Sequence, residues 1–195
     1  MFGEDALRIV IVGHVDHGKS TLIGRLLYDT GCLSKDRMRQ IEESSRRLGK
    51  TADFAFATDC LEEERAGGLT IDAGYAYFKS PKRRYIIIDA PGHREFLKNM
   101  ITGSSYAEAA LVVIDAREGV QAQTKRHCYI LGLIGLGQVC VLINKMDLVG
   151  YREDIFAKTK GEMAAFMRQL GISASYFIPV SAKEGDNIAA PSKAM

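Results

Sequence analysis

The sequence predicts an α/β fold in which a mostly parallel six-stranded sheet, with one antiparallel strand, carries helices on both faces. Apolar runs of strand length recur along the chain, and segments with the apolar spacing of amphipathic helices lie between them. The segments Thr70–Lys79 and Arg84–Asp89 both have the pattern of strands, but only four residues join them. Because so short a link cannot cross over a sheet, these two strands must be antiparallel neighbours. The predicted architecture therefore has three layers.

Length and composition place the chain among ordinary globular proteins. With 195 residues, 47% of them hydrophobic, and a net charge of +2, it can form one domain with a sizeable core. The longest apolar runs are strand-sized and the N-terminus lacks a secretory signal, so we expect a cytoplasmic protein without a membrane span. The basic cluster Lys82–Arg84 lies in a predicted hairpin turn, which favours solvated surface over a nucleic-acid site. The scattered cysteines favour reduced thiols: Cys32, Cys60, Cys128 and Cys140.

The first predicted strand, Leu7 to Val12, is followed by GHVDHGKS at positions 13–20 and by a helical pattern from Thr21 to Tyr28. Strand, loop and helix in this order are the context in which two glycines separated by four residues, followed by Lys and Ser, bind phosphate. Gly13 and Gly18 allow the backbone to curl so that successive amides face phosphate oxygens, and the helix N-terminus adds partial positive charge. The chain is therefore predicted to bind a nucleoside triphosphate.

Individual side chains of this loop have predicted roles. Lys19 is expected to reach the β- and γ-phosphates and to assist catalysis, and the Ser20 hydroxyl to ligate Mg²⁺. The residues expected to contact the nucleotide are Gly13, His14, Val15, Asp16, His17, Gly18, Lys19, Ser20 and Thr21.

A polar, charged stretch follows the first helix. Helices are predicted from Ser34 to about Leu48 and from Thr58 to Arg65, and the glycines at 67–68 then leave a loop able to move. Thr70 follows this loop and offers a second hydroxyl for Mg²⁺, in place only when a γ-phosphate holds the loop closed. The sequence thus predicts two states of this segment.

Beyond residue 89 the pattern alternates strands and helices. The strand-like runs are Ala110–Asp115, Val139–Asn144 and Tyr176–Val180. The helical patterns lie near Glu95–Thr102, Gln121–Leu133 and Tyr151–Leu170. On the last helix, one face is predicted to pack on the core through Ile155, Met163, Phe166 and Leu170.

The pentapeptide DAPGH at positions 89–93 follows directly on a predicted strand. The Asp89 carboxylate is placed at a strand end that faces the phosphate loop, where it can hold Mg²⁺ through water. Gly92 permits the backbone to approach a γ-phosphate closely, and its N–H can donate to it. His93 would then point into the cleft beside that phosphate; the alternative is a surface or capping histidine.

The segment NKMD at positions 144–147 closes another predicted strand. The Asp147 carboxylate can accept from the ring N1–H and the exocyclic amine of guanine, whereas adenine offers an acceptor at N1 and would be rejected. Asn144 and the stem of Lys145 are expected to brace the loop and the base. A backbone N–H for the guanine oxygen, and packing along the base, are expected from Ser181, Ala182 and Lys183. The expected ligands are therefore GTP or GDP with Mg²⁺.

These motifs in this order resemble those of P-loop GTPases, and GHVDHGKS with DAPGH looks like the translation-factor class in particular. The resemblance covers essentially the whole chain and implies slow hydrolysis of GTP to GDP and phosphate. It implies that His93 positions the attacking water, and that Val15 and Leu69 form an apolar gate that holds His93 back until activation. Asp16 matches a position linked with a monovalent cation in some members. The implied catalytic residues are His93, Lys19 and Thr70.

Two branches of this class are similar to the chain: elongation factor 1-alpha and the GTPase subunit of sulfate adenylyltransferase. The segments 96–103 and 185–187 resemble both. The compact segment 115–121, together with 25–31 and 126–127, looks more like the sulfate-activating subunit.

Departures from the family pattern also occur. His14 and His17 are as in translation factors, where many sulfate-activating subunits differ. Leu69 replaces the usual Ile of the gate and Gly67 a usual polar or basic residue, and both could loosen the first mobile loop.

The resemblance implies that residues 1–195 are a single GTP-binding domain cut from a longer protein that continues into β-barrel domains. The favoured role is coupling of GTP hydrolysis to adenylyl sulfate synthesis, with the catalytic sulfate adenylyltransferase subunit as partner. The alternative is a translation elongation factor that delivers aminoacyl-tRNA and contacts RNA. A P-loop kinase acting on a small molecule is a third interpretation, against which the segment 144–147 argues.

Overall fold

The computed structural model describes residues 6–33, 39, 75–89 and 107–195. The strands in this part of the chain are β1 (Ala6–Gly13), β2 (Tyr75–Lys79), β3 (Arg84–Asp89), β4 (Ala109–Asp115), β5 (Val139–Asn144) and β6 (Ala174–Pro179). The helices are α1 (Lys19–Asp29), α2 (Ala122–Leu133) and α3 (Glu153–Gln169), with a 3-10 turn at Met146–Val149.

The strands form one sheet in the order β2-β3-β1-β4-β5-β6. β1 lies between β3 and β4 and is parallel to both, and β5 and β6 continue the parallel part. β2 is antiparallel to β3, with Tyr75 opposite Ile88 and Lys79 opposite Arg84. The predicted mixed sheet with one antiparallel strand is therefore confirmed.

Alternate residues of β1 bury opposite faces of the sheet, because successive side chains of a strand point in opposite directions. Val10 and Val12 lie in one apolar cluster with side chains of α2 and α3, among them Leu131 and Met163. Ile11 lies in a second cluster with the apolar side chains of α1. Helices thus cover both faces, as the sequence predicts.

The interior strands β4 and β5 are rich in Val, Ile and Leu and largely buried, as parallel strands covered on both faces usually are. This packing fixes where the carboxyl ends of β1, β4 and β5 lie, and the loops that carry the predicted site residues begin there.

The third helix is shorter than the predicted Tyr151–Leu170. The chain passes through the 3-10 turn first, and Tyr151 adopts the left-handed conformation at φ 55°, which an α-helix cannot contain. Met163 is fully buried, and Ile155, Phe166 and Leu170 pack around the same cluster. The predicted core face of this helix is confirmed.

Several predicted elements lie outside the described residues. They are the helices Thr58–Arg65 and Glu95–Thr102, the helix Ser34–Leu48 apart from Arg39, and residues 70–74 of the first hairpin strand. In the part of the chain that is described, no helix combines the length and the apolar character needed to cross a membrane.

Candidate nucleotide-binding site

The loop between β1 and α1 depends on its two glycines. Gly18 caps α1 in the left-handed conformation at φ 88°, and a Cβ there would lie 2.5 Å from the side-chain nitrogen of Asn144. A Cβ on Gly13 would clash with the carbonyl oxygen of Val113 on β4. The loop can therefore lie against both β4 and the loop after β5 only because these two positions have no side chain.

Lys19 folds back over the loop that precedes it. Its Nζ donates to the carbonyl oxygen of His14 at 2.9 Å and to that of Gly13 at 3.2 Å. Burial lowers the pKa of Lys19, and the carboxylates of Asp89 and Asp16 act in the opposite direction. The ammonium group is thus held above the loop amides, where it can exchange carbonyl oxygens for phosphate oxygens.

The His17 imidazole lies beneath the loop, fully buried, and not at its outer surface. Its Nδ1 is 3.2 Å from the Val113 carbonyl oxygen, and its Nε2 is 3.3 Å from Glu118 Oε2. A carbonyl oxygen only accepts, so Nδ1 must carry a proton there. In the neutral ring Nε2 is then an acceptor, so it donates to the Glu118 carboxylate only when the ring is protonated.

His14, Val15 and Asp16 form the outer part of the loop. His14 Nδ1 is 2.5 Å from Gln123 Oε1 at the start of α2. Val15 is 59% exposed, and Asp16 adopts a positive φ of 62° at the exposed tip. The tip of the loop therefore faces outward, while its base is packed on the sheet.

Oxygen donors suited to Mg²⁺ lie beside this loop. Ser20 is in the first turn of α1, and Asp89 ends β3, where it pairs with Ile11 of β1. A hydroxyl and a carboxylate, completed by phosphate and water oxygens, are the ligands Mg²⁺ prefers, so the residues fit the ion. The described residues contain no group of three or more His, Cys, Asp or Glu that could hold a metal by themselves. The predicted positions outside the described residues are Thr70, Gly92 and His93.

Asn144 joins three parts of the site. Its Nδ2 donates to the carbonyl oxygen of His17 at 2.9 Å, and its Oδ1 accepts from the backbone N–H of Ala182 at 3.0 Å. Asn144 is buried, so both contacts form away from water. The predicted bracing role of this residue has a definite geometry: it connects the phosphate loop to the loop after β6.

Lys145 makes a second connection to the phosphate loop. Its Nζ lies 2.7 Å from Asp115 Oδ2 and 2.5 Å from the backbone oxygen of Asp16. Asp115 is buried at the carboxyl end of β4 and was missed by sequence reasoning, as were Glu118 and Gln123. The signal for Asp115 was present, because it ends a strand just as Asp89 does.

Asp147 lies in the 3-10 turn and is oriented by a residue 34 positions away. The Ser181 hydroxyl donates to Asp147 Oδ1 at 2.7 Å, and Ser181 is fully buried. Ala182 is buried beside it, whereas Lys183 is exposed and its carbonyl oxygen accepts from Arg25 of α1 at 3.2 Å. Of the three residues predicted at 181–183, Ser181 thus contacts the Asp147 carboxylate, and Ala182 contacts Asn144.

Comparisons with known proteins identify the family of the chain. A family model described as the elongation factor Tu GTP binding domain matches residues 4–194. Sulfate adenylyltransferase subunit 1 of Sulfurovum sp. is 47% identical over 193 residues, which cover 97% of this chain and 40% of that protein. Elongation factor 1-alpha of Pyrococcus abyssi is 48% identical over 189 residues, which cover 97% of this chain and 44% of that protein.

A solved structure is similar as well. The crystal structure of sup35 complexed with GDP has a TM-score of 0.66 and 28% identity, and the match covers 99% of this chain and 41% of that one. The chain spans about two fifths of the length of the curated relatives it matches. The resemblance inferred from the sequence motifs is confirmed. The chain belongs to the family of elongation factor Tu GTP binding domains.

Proposed function

We propose that this domain binds GTP with Mg²⁺ and hydrolyses it to GDP and phosphate. The observation that carries the proposal is the contact of Asp147 with Ser181, whose hydroxyl fixes the carboxylate at 2.7 Å. A carboxylate held in one orientation can accept from both the N1–H and the amine of guanine. Because Asn144 ties this region to the phosphate loop, base and phosphates can be bound as parts of one molecule.

Lys19 supplies the cation for the reacting phosphates. It exchanges the carbonyl oxygens of Gly13 and His14 for phosphate oxygens and offsets the charge that develops on the transferred group. The loop amides and the N-terminus of α1 add partial positive charge. Mg²⁺, when held by Ser20 and Asp89, would shield the β- and γ-phosphates further.

The remaining parts of the mechanism rest on family likeness. We propose that His93 positions the attacking water, that the Gly92 amide donates to the γ-phosphate and that Thr70 completes the Mg²⁺ site. The exposure of Val15 supports its proposed place in an apolar gate, because an apolar side chain at the loop tip is available for contact with Leu69. Basal turnover is proposed to be low until a partner moves His93 inward.

For the longer protein we propose coupling of GTP hydrolysis to the synthesis of adenylyl sulfate from ATP and sulfate. Adenylyl transfer would occur on a separate catalytic subunit. The relative named sulfate adenylyltransferase subunit 1 supports this role, as does the compact segment 115–121. Delivery of aminoacyl-tRNA as an elongation factor is the second candidate. It is favoured by the equally similar elongation factor 1-alpha and by His14 and His17.

The first test is a calorimetric titration of the domain with GDP, GTP and ATP, repeated with Asp147→Asn. We expect guanine nucleotides to bind tightly to the unmodified domain. Asp147→Asn should lose affinity for GDP and gain affinity for xanthosine diphosphate, because the base of the latter has an acceptor where guanine has its amine. Equal affinity for ATP and GTP would overturn the proposal.

The second test separates the two roles. GTP turnover of the longer protein is measured with a sulfate adenylyltransferase catalytic subunit, ATP and sulfate, and separately with aminoacyl-tRNA and ribosomes. Stimulation by the first mixture alone supports sulfate activation, and stimulation by the second alone overturns it in favour of translation.

A further inference from the structure

The loop after β6 closes on itself directly beside Asp147. We call residues 181–186 the base loop. The N–H of Ser181 donates to the Asp186 carbonyl oxygen at 3.2 Å, and that of Gly185 donates to the Ser181 carbonyl oxygen at 2.8 Å. The N–H of Glu184 also donates to the Ser181 hydroxyl oxygen at 3.2 Å. The orientation of the Ser181 hydroxyl, and through it that of Asp147, therefore depends on the whole loop staying closed.

Tyr151 holds the far end of the base loop. Its hydroxyl donates to Asp186 Oδ2 at 2.7 Å, while the Ser192 hydroxyl donates to Asp186 Oδ1 at 2.7 Å. The N–H of Tyr151 donates to the Met146 carbonyl oxygen at 2.8 Å, so Tyr151 is anchored to the turn that carries Asp147. The short segment 146–151 thus contacts both ends of the base loop, at Ser181 through Asp147 and at Asp186 through Tyr151.

The charge at this contact favours a strong hydrogen bond. The bond from Tyr151, aided by that from Ser192, lowers the pKa of Asp186, so its carboxylate is ionised near neutral pH. The same bond and burial raise the pKa of Tyr151, which keeps the phenol protonated as the donor. Hydrogen bonds to an ionised acceptor are shorter and stronger than neutral ones.

Helix α1 supports the base loop from its other side. Arg25 Nη1 donates to the Lys183 carbonyl oxygen at 3.2 Å, and a Cβ at Gly185 would clash with the Arg25 guanidinium group. The loop is therefore packed between α1 and the turn that bears Tyr151. Loss of the Tyr151 contact removes one of the two side-chain hydrogen bonds to the Asp186 carboxylate and leaves the one from Ser192.

We propose that Tyr151 is a positioning residue for guanine recognition, acting through Asp186 to keep the base loop closed and the Asp147 carboxylate correctly oriented. This inference rests on the proposed function, since it takes guanine to be the base that Asp147 reads. Tyr151 lies outside the recognisable motif at 144–147, and its hydroxyl reaches the site only through Asp186 of the base loop. Its loss should weaken recognition of the base and leave the phosphate loop intact.

The test compares GDP with inosine diphosphate, which lacks the 2-amino group that would donate a hydrogen bond to the Asp147 carboxylate. Removing one hydrogen bond to a charged group is expected to lower GDP affinity about tenfold in Tyr151→Phe. The affinity of this variant for inosine diphosphate should fall less, so the ratio of the GDP affinity to the inosine diphosphate affinity should decrease several-fold. A purely structural defect would weaken both nucleotides equally. Dissociation constants from calorimetry and the melting temperature of each variant provide the readout.

Variants of Asp186 and a matched control complete the experiment. Asp186→Asn keeps an acceptor for the Tyr151 hydroxyl and should retain most of the discrimination, whereas Asp186→Ala should lose it. Because Asp186→Ala already removes the contact with the Tyr151 hydroxyl, adding Tyr151→Phe to it should change the ratio no further. Tyr176→Phe, at an exposed position of β6, is the matched control and should change neither affinity. An unchanged ratio in Tyr151→Phe would overturn this inference alone. A wild-type domain without GDP binding would overturn the proposed function and the inference with it.

Discussion

The side-chain amide of Asn144 donates to the carbonyl oxygen of His17 at 2.9 Å and joins the loop after β5 to the phosphate loop. The opposite end of the same carboxamide accepts from the Ala182 N–H at 3.0 Å. Because the residue is buried, water cannot replace either contact. One buried side chain thus connects the phosphate loop to the loop after β6.

Replacing Asn144 should therefore lower both the stability of the domain and its affinity for GDP. Asn144→Ala leaves the Ala182 amide unpaired and removes the bond to His17, which we expect to lower the free energy of unfolding by about 2–4 kcal/mol. GDP affinity should fall more than tenfold. Urea unfolding and calorimetry provide the measurements, with Gln138→Ala at an exposed position as the control. A loss of affinity without any loss of stability would contradict the bracing role.

Gly18 is predicted to tolerate no side chain. Gly18→Ala places a Cβ at φ 88° and 2.5 Å from the Asn144 side-chain nitrogen, so it adds contact strain to backbone strain. We expect a cost of about 2–3 kcal/mol, against about 1 kcal/mol for a positive φ alone.

Gly119→Ala isolates the backbone part of that cost, because Gly119 has φ 69° and open space around its Cβ position. Thermal and urea unfolding of the two variants give the difference. Equal destabilisation would show that Asn144 moves aside without cost.

His17 makes the stability of the domain pH-dependent. Burial lowers its pKa from the ordinary 6.5, while the contacts with Val113 and Glu118 act in the opposite direction. The unfolded chain therefore binds a proton at this histidine more tightly than the folded chain does. Above about pH 6.5 neither state is protonated there, and the free energy of unfolding is unaffected. As the pH falls from 6.5 towards the folded-state pKa of His17, the free energy of unfolding should decrease. Urea unfolding across this window should show a decline in the wild type that is smaller in His17→Gln.

Glu118 should influence the folded-state pKa of His17, at which this pH-dependent loss of stability ends. Removing its charge in Glu118→Gln eliminates an interaction that raises the pKa of His17, so the folded-state pKa should decrease further. The chemical shift of the His17 ring protons against pH, measured by NMR, provides the readout. An increase in the midpoint would contradict the contact between the two side chains.

The cysteines should differ in reactivity. Burial raises the pKa of Cys128 to about 12 and that of Cys140 to about 11, whereas Cys32 is exposed. In a Cys60→Ser background, a disulfide reagent near pH 8 should therefore modify Cys32 quickly, and Cys128 and Cys140 only after unfolding. Fast modification of all three would contradict the burial of the β5 and α2 thiols.

Much of the fold could be predicted because it follows from local patterns. The apolar runs of β4 and β5, and the spacing of Met163 with its neighbours on α3, indicate strand and helix without knowledge of the partners. The boundary at Tyr151 could not be predicted, because its left-handed backbone is imposed by the turn before it. The residues 90–106, which carry His93, are not described, and their predicted roles stay predictions.

The chemical types of the groups in the candidate site could be predicted from short motifs: the glycines and Lys19 of the phosphate loop, and the Asp147 carboxylate. Short motifs suffice for this because the segments 13–20 and 144–147 each hold their polar groups within a few positions of one another. Which side chains orient these groups depends on the packing of distant segments. Asp115, Glu118 and Asp186 lie far along the chain from the side chains they contact, and hydrogen bonds between distant segments depend on how strands and loops pack, which no local spacing encodes.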